Sequence, residues 1–144
     1  ALGVLKNGAD RNVVGIGLRM RNETRPEALP VPLLTVQGGR DDVVAPVNAA
    51  QLVRQYLALN GHPAAQAGGA AELPPPDALA TTSADGRSIA TAEWRSGERL
   101  LARHVLVDAL GHAWSGGDAR YPYNDAAPPD ATALLRAFVR EVAA

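Results

Sequence analysis

At 144 residues the chain is one domain by size, with 47% hydrophobic but only 4% aromatic residues, so its core must be built from Ala, Val and Leu. Fourteen Lys and Arg against fifteen Asp and Glu leave no basic footprint for nucleic acid or an anionic membrane. No cysteine is present, which excludes disulfides, thiolate metal sites and a cysteine nucleophile. No apolar run reaches membrane-spanning length either.

The first residues, ALGVLKNGAD, contain neither an initiator Met nor a basic-then-apolar leader, and do not read as a natural start. Residues 1–8 suit the end of a helix, with Leu2 and Leu5 three apart and Asn7-Gly8 as its stop. Residues 9–30 lack a clean period, carry Pro26 and Pro30, and read mostly as loop. A continuous apolar run from Val31 to Val36, ended by Gly38-Gly39, predicts a strand near 31–37 buried on both faces. Pro46 then suits the first turn of a helix near 46–59, whose apolar face is Leu52, Val53, Tyr56, Leu57 and Leu59. Strand, loop and helix make half of a parallel crossover unit.

Residues 61–85 are rich in Ala, Gly and Pro and read as a surface loop. Two strand-like segments, near 87–94 and 99–108, follow as an antiparallel hairpin joined by Arg95-Ser96-Gly97-Glu98. The segments near 31–37 and 99–108 are expected as parallel neighbours, with 87–94 on the outside. Pro128, Pro129 and Asp130 open a last helix near 129–142 with Leu134, Leu135, Phe138, Val139 and Val142 on one side. The whole reads as a small mixed α/β sheet with helices packed on it.

Asp41 and His112 each fall just past the end of a predicted parallel strand. Sites in open α/β sheets form there, because loops from neighbouring strands converge beyond their carboxyl ends. A carboxylate that fixes an imidazole's tautomer, and an imidazole that handles a nucleophile's proton, are two parts of a relay. In the chain order nucleophile, acid, base, the nucleophile should precede Asp41. Only Thr24 and Thr35 carry hydroxyls there, and no Gly-x-Ser-x-Gly occurs. Ser115 is rejected for that role: position 113 is Ala, no helix follows, and a residue three after the base is poorly placed for its ring. Asp42 is the competitor for the acid. His104 reads as a surface or strand residue and His62 as solvated. Trp114 is equally a hydrophobic wall for an acyl chain or ordinary packing, and Asp118, Asp125 and Asp130 read as solvated acids, leaving no metal site.

The stretches VPLLTVQGGRDDVVAPVNA and VDALGHAWSGGD, followed by YPYNDAAPPDATALLRAFV, resemble the C-terminal half of the polyhydroxybutyrate-depolymerase-like esterases, a branch of the α/β-hydrolases. The resemblance covers about residues 29–143. It assigns the acid to Asp41, in a glycine-led turn followed by Val44 to Asn48, and the base to His112 within Gly111 to Gly117. Gln37 stands where that family usually has a histidine. By resemblance the chain is the acid-and-base half of a serine esterase on polyhydroxyalkanoate or related carboxylic esters, needing no cofactor, with Trp114 at the substrate. The same relay would serve an aryl-ester or acetyl-ester hydrolase of plant polysaccharide, and a non-catalytic fragment with an assembly role is the contrasting reading. The resemblance leans towards a secreted or periplasmic setting. Lacking the half that holds the nucleophile, the chain is expected to expose a strand edge at 31–37 and to form a homodimer or larger oligomer.

Overall fold

A computed structural model describes residues 2–144, apart from the side chain of Leu2. Ala1 lies outside the described residues. The expected helix end is α1 (Leu2–Asn7), whose last turn is tied down by Ala45 N–H and the Asn48 amide, both donating to Leu5 O at 2.8 Å.

Residues 9–30 are not mostly loop. They hold α2 (Val13–Glu23), capped by Asn12, whose side chain accepts Gly15 N–H at 2.9 Å. A short 3-10 turn follows at Pro26–Ala28. The apolar period is missing because α2 packs on α3 (Val47–Asn60) through Gly17: a Cβ there would overlap the backbone carbonyl of Gln55 and the Ala58 methyl. The helices meet backbone to backbone at a residue with no side chain to register in a hydrophobic pattern. Gly17→Ala gains about 1 kcal/mol of helix propensity but must displace a carbonyl, and overpacking of this kind costs about 1–3 kcal/mol. A lower urea midpoint is therefore expected. Gly3→Ala, with nothing within 4 Å of the added methyl, should not lower it.

Among the described residues four α-helices accompany a mixed four-stranded sheet in the order β1-β4-β3-β2. β1 (Leu33–Gly38) runs parallel to β4 (Arg99–Val107), with Leu33 opposite Ala102 and Gly38 opposite Val107. β4 pairs antiparallel with β3 (Arg87–Ser96) through a tight turn at Gly97-Glu98, so Arg95 and Ser96 are strand, not connection. β3 is not the outer strand. That place belongs to β2 (Ala78–Ala84), antiparallel to β3 across Asp85-Gly86. Both turn residues have positive φ, 47° and 76°, as a two-residue hairpin turn requires.

The rest of the 61–77 segment is packed rather than loose. Its backbone folds over α3, where the buried Arg54 guanidinium donates to Ala65 O and Glu72 O, both at 3.0 Å. Trp94, fully buried, donates its indole N–H to Pro75 O at 2.9 Å. His62 is not solvated: its side chain is 9% exposed, with Nε2 3.2 Å from Asp77 and Nδ1 accepting Ala64 N–H.

Alternation along the strands divides the core in two. Val53, Leu57 and Ala58 of α3 meet Ala92, Trp94 and Ala102 on one face. On the other, Val105, Val107 and Ile89 meet Leu34, Val36 and Leu134 of α4 (Ala131–Ala143), a helix capped by Asp130. Glu141 also joins α4 to the sheet through Arg95 and Arg103, each at 2.6 Å. β1 is left with one paired edge. No described helix is long and apolar enough to cross a membrane.

Candidate active site

The turns leaving β1 and β4 are built to touch. Gly39 N–H donates to Val107 O and Arg40 N–H to Leu110 O, both at 2.9 Å. A Cβ on Gly38 would overlap Leu110 O, and one on Gly39 would sit 2.6 Å from Asp108 O. Only glycine lets the two backbones approach this closely. Because β1 and β4 are parallel neighbours, this contact brings the residues just past both carboxyl ends together.

Asp41 and His112 meet there, His112 Nδ1 lying 3.0 Å from Asp41 Oδ2. The other carboxylate oxygen accepts Val43 N–H at 2.9 Å and Val44 N–H at 2.8 Å. Burial pulls the Asp41 carboxyl upward, but the bonds from Val44, His112 and Val43 outweigh it and hold it below the usual carboxylate range. An ionised carboxylate only accepts, so the neutral ring must carry its proton on Nδ1. Asp41 is 9% exposed and His112 is 41% exposed, so the pair has a buried end and an open end. Asp42 is exposed and has no such bond.

Gln37 is buried beneath this turn and donates to Gly38 O at 3.0 Å and to Val44 O at 3.2 Å. It braces the loop that carries the acid. The histidine imidazole opens on a cleft of ≈ 380 Å³ that Asp41, Gln37, Trp114 and Tyr123 help to line. Trp114 is 48% exposed and separates this cleft from an apolar pocket of ≈ 240 Å³ between Leu34, Val36 and Leu135. A larger concavity of ≈ 800 Å³ lies near Pro32, Arg99 and Val142, at the other end of the sheet, away from any histidine.

Ser115 has a different task. It is 1% exposed and donates its hydroxyl to Pro129 O at 2.6 Å, securing the 127–130 segment. The glycines after it serve the same layering: a Cβ on Gly116 would come 2.5 Å from Asp130 Cα, and one on Gly117 would overlap the Asn124 amide. Trp114-Ser115 forms the two-residue strand β5, parallel to β6 (Asn124–Asp125). The nearby acids are engaged: Asp118 with Arg120, Asp125 with Arg87, and Asp130 as the α4 cap. Among the described residues no three His, Cys, Asp or Glu side chains gather as a metal site.

His104 is neither exposed nor near this cleft. It is 4% exposed, with Nδ1 2.8 Å from Thr35 Oγ1 across the β1–β4 pair, and burial lowers its pKa to about 4. Two residues at the cleft escaped the sequence reading, Gln37 as a brace and Tyr123 as a wall. Compared with protein-family models and curated proteins, the chain matches none.

Proposed function

We propose that these residues form the acid-and-base half of a serine esterase acting on polyhydroxyalkanoate or related carboxylic esters. The observation that carries this reading is the Asp41–His112 pair, 3.0 Å apart past the ends of two parallel strands. In the reaction, Asp41 holds Nδ1–H, and the Nε2 lone pair takes the proton of an attacking hydroxyl. The imidazolium that results then protonates the leaving alcohol. Trp114 and the apolar pocket beside it suit the aliphatic part of an ester.

The relay needs a hydroxyl at Nε2, and Ser115 is buried against Pro129. In this reading the nucleophile and its oxyanion donors come from residues beyond these 144, and the open edge of β1 is where a further parallel strand would align them. A second copy of the chain competes for that same edge when the segment is missing, which gives an oligomer.

A fluorophosphonate probe tests the assignment, because it marks only an activated serine. In the full-length protein one adduct is expected, on a serine outside residues 1–144, with hydrolysis of p-nitrophenyl butyrate. The isolated 144-residue chain should stay at background, since losing oxyanion donors alone removes roughly 10²–10³-fold. An adduct on Ser115, or activity of the isolated chain that Ser115→Ala abolishes, would sink the reading.

A further inference from the structure

Tyr123 has a backbone φ of 57°, in the left-handed region that few bulky residues adopt. Burial in the core does not account for this. The side chain is 73% exposed, so burial offsets little of the strain, and a glycine would take the same backbone at no steric cost. Strain held without a packing reason, beside a cleft, points to a positional task.

The geometry shows what the conformation delivers. Tyr123 O accepts Trp114 N–H at 2.7 Å, which fastens the residue beside the histidine turn. Its ring then stands edge-on to the His112 imidazole, with centroids 5.9 Å apart and planes at 76°. This is a favoured aromatic arrangement. His112 has its side chain 41% exposed and is bonded to Asp41 through Nδ1 alone. Beyond its Cβ anchor, one hydrogen bond restrains an exposed imidazole at a single ring atom, and the χ1 and χ2 adjustments that remain can tilt the ring plane or break that bond. A pivot would swing Nε2 away from any substrate in the cleft.

We propose that Tyr123 is a positioning residue, whose ring stops this pivot and keeps His112 Nδ1 on Asp41 while Nε2 faces the cleft. The catalytic consequence rests on the esterase reading given above. The restraint itself is a property of two rings and is measurable without an ester or a nucleophile.

Nitrogen-edited NMR of the histidine side chains in the 144-residue chain, at a pH where the ring is neutral, reports its tautomer and rotamer. Wild type and Tyr123→Phe should both show one Nδ1–H form in a single rotamer, because the ring rather than the phenol makes the contact. Tyr123→Ala should raise the population of other forms roughly threefold to tenfold, the size of an aromatic pair. Its melting temperature should stay within about 4 °C of wild type, as befits an exposed side chain. Tyr123→Gly, free of the backbone strain, should give the same change at His112 and provides the readout even if the alanine chain fails to fold.

In the full-length protein the same series should lower kcat by a similar factor with KM little changed. If His112 keeps one tautomer and one rotamer in the alanine or glycine variants, or if phenylalanine fails to restore wild-type behaviour, the positioning role is wrong. If the NMR changes occur while no variant and no wild type hydrolyses any ester, the esterase reading fails and the restraint stands.

Discussion

On the proposed esterase reading, Asp41→Asn in a protein that also carries the nucleophile should lower kcat by about 10⁴-fold, the loss seen when the carboxylate of a Ser-His-Asp relay becomes an amide. The fold should survive, because an asparagine carbonyl still accepts the N–H groups of Val43 and Val44 that shape the turn. What changes is the group facing His112. A carboxylate oxygen accepts from Nδ1–H and leaves the Nε2 lone pair free, whereas an amide NH₂ donates to Nδ1 and moves the proton to Nε2. The ring is then present but holds its proton on the wrong nitrogen. His112→Ala removes the base altogether and should cost more, about 10⁶-fold. Relay members act as a unit, so the double variant should be little worse than His112→Ala alone. Asp42→Asn should be close to wild type, since Asp42 does not bond to the imidazole. Steady-state hydrolysis of p-nitrophenyl butyrate by these four variants beside the wild type decides the matter. Near-wild-type rates for Asp41→Asn would remove Asp41 from the mechanism.

The parallel pair β1 and β4 was legible because β4 is apolar over most of its length and β1 carries Leu33, Leu34 and Val36, and the Gly38-Gly39 and Gly111-His112 punctuation marks where each leads. Asp41 and His112 follow from that placement. What stayed hidden lacks apolar periodicity. α2 meets α3 at Gly17, which has no side chain to mark its inner face, and β2 is exposed along nearly its whole length, so neither presents the pattern of a half-buried element. A local signal for β2 was nonetheless available in Asp85-Gly86, a pair suited to a two-residue hairpin turn. The composition of residues 61–77 suggests a loose loop, but its order comes from distant partners, Arg54 and Trp94, that no local window contains. Tyr123 was illegible for a similar reason: its φ and its approach to His112 depend on the Trp114–Asn124 pairing.

Acid should loosen the same strand pair that aligns the site. His104 and Thr35 are register partners on β4 and β1, and their side chains meet at 2.8 Å on the sheet face covered by α3. Ala92 is the opposite neighbour on β3, and no carboxylate is paired with the ring among the described residues. Burial therefore holds His104 neutral, with a folded pKa of about 4 against 6.5 in the unfolded chain. On acidification the unfolded chain takes up this proton first, so stability is fully present above pH 6.5 and falls as pH drops towards 4. The whole shift amounts to about 3 kcal/mol. Carboxylates held below their usual range, Asp41, Asp125 and Glu141 among them, begin to add their losses near about pH 5, at the acid end of this window, and complete them below it. Urea unfolding between pH 8 and pH 4 should show a midpoint that declines across this window. His104→Gln keeps a polar partner for Thr35 but does not titrate. It should start about 1 kcal/mol lower at pH 8 and lose much less on acidification. An equally steep decline in the variant would show that His104 is not the sensor.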